Sequence, residues 1–233
     1  MPFTFYEIVL LIQFKKLANI VIIYRYNIYT GGSWMTKKYS AGLVSKRFWF
    51  SEFKMYIQLR LDGYTDIEIK EKNDQENIFL AVSSNRQKEI YQNMKRRVNQ
   101  LDESGLQLFN QLDIDNQKLF NLISILLIDD LFRKFMAEVY AENIRKGNLK
   151  LTPIDYRSFF TEKQRSSEDI SKWKEYTIKR LISAYQTNLI ETGLIRGEKE
   201  SGRMTPILLD RRLIQWLINK NRQDIVLALG GSL

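Results

Sequence analysis

The sequence predicts a mainly α-helical protein: a helical bundle of two helix-turn-helix or winged-helix-like units with a small C-terminal β-hairpin. Three observations carry this expectation. Apolar residues recur at helical spacing from Phe50 onward. Helix starts are marked by Thr65 with Glu68 and by Thr152 with Pro153. Near the C-terminus, Leu194-Ile195-Arg196 and Met204 to Leu209 flank a Gly197–Gly202 turn, which reads as two short strands.

Taken in order, Phe50, Phe53, Ile57 and Leu61 line one face of a first helix, closed at Asp62-Gly63 by a residue able to take positive φ. Thr65 and Glu68 form a capping-box pattern for a short second helix. A third runs from Ser84 to Leu101, with Ile90, Met94, Val98 and Leu101 as its apolar stripe. This is the order of a helix-turn-helix core, although the Asn73 to Val82 link is long for its turn. Leu119 to Leu131 is strongly apolar, but Asp129 and Asp130 interrupt it well short of the ~20 residues a membrane span needs. It reads as a buried helical hairpin, with Asp129 or Asp130 capping a helix through Tyr140 that ends at Gly147. Thr152-Pro153 opens the next helix, and Ser166 or Ser167 caps a long one carrying Ile170, Trp173, Leu181, Tyr185 and Leu189 up to Gly193. After the hairpin, short helices from Arg211 and Asp224 finish the chain. The expected domains are 35–148, helical, and 149–233, winged-helix-like.

Composition narrows the chemistry. Among 233 residues there is no cysteine and no histidine. Disulfides, thiolate or imidazole metal sites and histidine-based nucleophilic devices are therefore excluded, and a reducing cytoplasm is the expected setting. Carboxylates holding a hard cation are the one enzymatic option left. Capping accounts for the Asp113/Asp115 and Asp129/Asp130 pairs, and no phosphate loop, calcium loop or nuclease motif is present. No catalytic residue, metal or cofactor is expected. The 36 basic and 27 acidic residues give a formal charge of +9, which suits a polyanionic partner.

The candidate contacts are cationic. On the third helix, Lys88, Gln92, Lys95, Arg96 and Asn99 lie opposite the apolar stripe; the alternative is an ordinary solvated face. Lys37 and Lys38 precede the aromatic run as phosphate contacts on an arm, whereas Trp49, Phe53 and Tyr56 fall at core spacing. Arg196, Lys199 and Arg203 sit on or beside the hairpin turn, among Glu198 and Glu200.

The phrases YSAGLVSKRFWFSEFKMY (Tyr39 to Tyr56), EIYQNMKRRVNQLD (Glu89 to Asp102), Asp113 to Tyr140 and Tyr176 to Ile195 resemble the BrxA family of the bacterial BREX phage-defence systems. The resemblance covers most of Met35 to Leu233 and carries no catalytic signature. It implies a role in phage defence, association with double-stranded DNA, and other BREX proteins as partners. A helical adaptor for those proteins is the alternative, and an inner-membrane protein a third. The first thirty-four residues read differently: two apolar runs, Ile8 to Ile12 and Leu17 to Tyr24, are split by Lys15 and Lys16, fitting neither a span nor a signal peptide. Gly31-Gly32 can be encoded as a ribosome-binding sequence just before Met35, where the resemblance starts. Residues 1–34 are accordingly expected to be upstream sequence translated in error, with an N-terminal apolar helix as the alternative, and a membrane is not expected to be a partner.

Overall fold

The computed structural model describes residues 39–197 and 202–233. The expectations for residues 1–34, Lys37, Lys38 and Lys199 lie outside them. The fold is mainly α, as expected, with one small antiparallel sheet.

A 3-10 turn at Gly42–Ser45 leads into α1 (Phe50–Leu61), which ends where Gly63 takes φ 92°. The Thr65/Glu68 capping box is formed and starts α2 (Asp66–Glu76). This helix runs four residues into the expected Asn73 to Val82 link and is closed by Asn77 in the left-handed region (φ 48°). Asn77 then clasps Ala81 through both side-chain atoms, which shapes the loop into α3 (Ser84–Val98).

Asp102 caps a helix the sequence reading did not include, α4 (Glu103–Gln111), and Asp113 caps α5 (Ile114–Ile128). From Leu119 to Leu126 every side chain of α5 is buried, with α1, α3, α4 and a later helix packed around it. That all-round burial explains its membrane-like composition. Asp129 caps α6 (Asp130–Phe135) by accepting from Phe132 N–H at 2.9 Å. A π-helical segment at Met136–Tyr140 and α7 (Ala141–Arg145) complete this arm.

β1 (Lys150–Leu151) precedes α8 (Pro153–Ser166), which begins with Pro153 and a Thr152/Asp155 capping box. The long helix expected from Ser166 or Ser167 is in fact two. Ser167 caps a four-residue helix, α9 (Glu168–Ser171), and the chain breaks before α10 (Glu175–Thr192). At the break, the Trp173 carbonyl accepts from Gln164 Nε2 at 3.3 Å, and Lys174 is extended (ψ 152°).

The hairpin strands are β2 (Ile195–Arg196) and β3 (Gly202–Met204). The second strand shares only Met204 with the expected Met204 to Leu209: it begins earlier, at Gly202, and cannot continue because Pro206 has no N–H for a ladder. β1 pairs with β3, giving the sheet order β1-β3-β2. At Gly202 a methyl group would stand 1.8 Å from Ile195 Cγ2, so this close strand approach requires glycine. Finally, α11 (Arg211–Asn219) and α12 (Gln223–Ala228) return to the bundle.

Contacts cross the boundary expected at 148/149. Trp216 of α11 packs on Phe120 with ring centroids 5.1 Å apart, and its indole N–H donates to Asp102 at 3.0 Å. Arg133 reaches Asp224 at 3.2 Å, and the first 3-10 turn packs on α10. Asp102 also pairs with Lys220 and caps α4. Burial raises its carboxyl, but hydrogen bonds from Lys220, Trp216, Ser104 and Gly105 N–H outweigh that and hold it far below the usual carboxylate range. A carboxylate depressed in the fold contributes stability that is present above its unfolded value of about 3.9 and is lost as pH falls through the folded value. The protein should therefore lose stability as pH drops below about 4. Asp102→Asn, followed by thermal melting across pH 2–7, should lose less over that range; an unchanged acid limb would show that Asp102 is not a source of it.

Candidate nucleic-acid interface

On α3, Ser83 caps the N-terminus by accepting from Arg86 N–H, and Ile90, Met94 and Val98 are buried as the stripe required. The opposite face divides. Lys88, Gln92 and Arg96 are exposed, one turn apart, and no hydrogen bond or ion pair ties their side chains to another described residue. Lys95 and Asn99 are committed within the protein. Lys95 Nζ lies 3.6 Å from Asp66, and Asn99 Nδ2 donates to the same carboxylate at 3.0 Å. Burial raises Asp66, yet hydrogen bonds from Asn99 and Tyr56 and the charges of Arg60 and Lys95 hold it below the usual range.

The reason is the neighbouring helix. α2 carries Asp66, Glu68, Glu71, Asp74 and Glu76 against Lys70 and Lys72, and it packs on α3. Part of the basic face of α3 thus neutralises α2. The structure leaves Lys88, Gln92 and Arg96 as the part of the expected set open to a ligand.

Arg97 was not among the expected functional residues. It is 1% exposed and donates to the Phe48 carbonyl at 2.8 Å and the Arg47 carbonyl at 3.0 Å. Its guanidinium lies over the Trp49 ring, 5.8 Å from the centroid. Burial pushes its pKa down to about 9. Asn121 donates to the same Phe48 carbonyl at 2.9 Å, so the KRFWF segment is tied to α3 and α5. Trp49 itself, in the left-handed region (φ 50°), is buried with Phe53 and Tyr56, as their spacing required. The signal for Arg97 was its position three residues after Met94, inside the apolar stripe.

The C-terminal cations have a different setting. Ile195, Met204 and Leu151 are buried beneath the sheet, whereas Arg196, Arg203 and Lys150 project from its exposed side. Arg203 is the register partner of Arg196 on β2 and of Lys150 on β1. Three basic residues therefore stand in one row across three strands. No carboxylate among the described residues makes an ion pair with any of them.

Arg196 also borders a cleft of about 770 Å³ lined by Asp113, Asn116, Leu208 and Asp210 among others. Two of its acids serve as helix caps and Asp115 lies in the first turn of α5: Asp113 starts α5 and Asp210 starts α11, and Asn116 joins them by accepting from Asp210 N–H at 3.0 Å. Among the described residues, no group of three or more acidic or other metal-ligating side chains is placed to hold an ion. None of the described helices is long and apolar enough to cross a membrane.

Fold and surface together define a mainly helical protein with two exposed cationic faces, one on α3 and one on a small sheet. The chain belongs to the BrxA family, whose family model matches residues 37–221. It is 32% identical over 177 residues to the "BREX protein BrxA" of Bacillus cereus (strain H3081.97), spanning 76% of this chain and 88% of that one. Its fold is similar to the crystal structure of an uncharacterized protein from Magnetospirillum magneticum, with TM-score 0.69 over 82% of this chain and 98% of that one, at 16% identity.

Proposed function

We propose that this protein is a non-enzymatic, cytoplasmic, DNA-binding component of a BREX phage-defence system that works beside other BREX proteins. The observation that carries the reading is the row of exposed side chains Lys88, Gln92 and Arg96 on α3, on a chain of formal charge +9. Lysine and arginine neutralise phosphates, while Gln92 can offer a donor and an acceptor to a base edge and Arg96 paired donors. The B. cereus relative's name supplies the BREX setting. The strand order β1-β3-β2, with α8 to α10 between β1 and β2, supports a winged-helix reading of the second half, in which α10 precedes the wing.

A titration of duplex binding against salt tests this. Each neutralised phosphate contributes a slope of about −0.9 in log K against log salt, and about four to eight contacts are expected. Lys88→Glu with Arg96→Glu should weaken binding about tenfold or more and make the slope shallower by about two. Melting curves establish that the variant is folded, since Arg96 lies in the last turn of α3 and its charge acts on Asp129. Wild-type affinity in that double variant would remove α3 from the docking surface.

A helical adaptor is the second reading, and one observation favours it. Leu80 and Val82, in the clasped loop before α3, are 86% and 95% exposed, and Leu80 is held at φ 51°. An apolar side chain presented to water on a left-handed backbone suits a protein contact. Binding to partner proteins with no affinity for duplex DNA at low salt would favour this reading.

A further inference from the structure

Among the described residues, the row Lys150–Arg203–Arg196 brings like charges together with no ion-pair partner. Like charges placed directly opposite one another on neighbouring strands repel. Here the repulsion is doubled, because Arg203 on the central strand faces a cation on each side. No described carboxylate relieves it, and the opposite side of each strand is committed to the core through Leu151, Met204 and Ile195. Each of the three is therefore fixed to the solvent side by the strand alternation and cannot turn away without breaking the sheet.

From this juxtaposition we propose that the exposed face of the β1-β3-β2 sheet is a phosphate clamp, with Lys150, Arg203 and Arg196 gripping consecutive phosphates of one strand of duplex DNA that runs across the β-strands. The inference rests on the DNA-binding reading and adds a second docking element, remote in sequence from α3, with Lys150 as a residue the hairpin alone does not contain.

Dimensions fit this occupant. Neighbouring strands lie about 4.8 Å apart, so the outer cations are rooted about 10 Å from each other. Successive phosphates of one DNA strand rise about 3.4 Å along the helix axis but lie farther apart, roughly 7 Å, because the strand winds around that axis, so a row about 10 Å long spans two to three of them. The long side chains take up the remaining difference. Arginine supplies a planar fork for two phosphate oxygens, and lysine a point charge. Contacts of this kind fix position on the duplex and carry no sequence information.

The test is a salt titration with two unrelated duplexes, using the full chain. In Lys150→Ala/Arg196→Ala/Arg203→Ala, affinity for both duplexes should fall by about tenfold or more, and the slope should become shallower by about three. Lys150→Ala alone should remove about one unit of slope. Arg196→Lys/Arg203→Lys, which keeps the charges, should retain the wild-type slope. Melting curves confirm that each variant is folded, and the single Lys150 change keeps the test open if the triple variant is not. Wild-type slope in a folded triple variant, or in Lys150→Ala alone, overturns the clamp and leaves DNA binding by α3 standing. Absence of wild-type binding to either duplex at low salt overturns the DNA reading itself. Preference for vesicles containing phosphatidylserine over duplex DNA, dependent on the same three residues, overturns the choice of occupant.

Discussion

Replacing Trp216 with alanine should lower stability by about 3–5 kcal/mol, the range for truncating a large buried aromatic. The side chain is 6% exposed and does three things at once. It packs on Phe120 of α5, lies against Gly105 of α4, and donates its indole N–H to Asp102. A methyl group at Gly105 would stand 2.9 Å from the Trp216 ring, so the indole rests directly on the α4 backbone. Truncation would open a cavity at the junction of α4, α5 and α11 and leave the Asp102 cap with one partner fewer. Denaturant titration followed by circular dichroism measures the loss. A change below about 1 kcal/mol would mean that this junction relaxes around the gap and that α11 is a peripheral addition.

Arg97→Ala is expected to cost about 3 kcal/mol. Two opposing effects set the value. Burial of an arginine with no carboxylate bonded to it is unfavourable, as its depressed pKa of about 9 shows, and alanine removes that cost. Against this, alanine gives up two charge-assisted hydrogen bonds, worth about 1.5–3 kcal/mol each, and leaves a void beneath Trp49. The Phe48 carbonyl keeps Asn121, whereas the Arg47 carbonyl loses its only described side-chain donor. Arg97→Met separates the contributions, because it restores most of the volume without the hydrogen bonds. Methionine should recover part of the loss, and exposure of Trp49, followed by fluorescence quenching, should rise in the alanine variant. Melting at the wild-type temperature in both variants would show that Arg97 does not hold the KRFWF segment.

Much of the fold could be read locally. The caps at Thr65, Asp113, Asp129 and Thr152 each depend on residues within one turn, and each is formed. The apolar stripe of α3 was equally plain, since burial on one face follows from periodicity. What could not be read depends on distant partners. β1 is two residues long and exists because β3, about fifty positions later, pairs with it, so no local pattern announces it. The break before α10 depends on Gln164 reaching the Trp173 carbonyl from another helix. The same limit applies to the site. A helical wheel places Lys95 and Asn99 beside Lys88 and Arg96, but it does not contain Asp66, which comes from α2 and claims the first two. Lys150 was invisible for the reason that β1 was.

The burial of α5 has a consequence for synthesis. Leu119 to Leu126 form a cylinder of apolar side chains that is covered partly by α10 and, through Trp216, by α11. About ninety residues separate Leu126 from Trp216, and a ribosome adding about 5–20 residues per second needs roughly 5–20 seconds to deliver them. Until they arrive, the nascent chain carries an apolar helix covered on one side by α1, α3 and α4 and lacking its later partners, α10 and α11. Slower translation prolongs the hazard, and a truncated product ending before α10 would display that surface permanently. Aggregation of such fragments would then report where covering contacts arrive late, rather than any weakness in the finished protein.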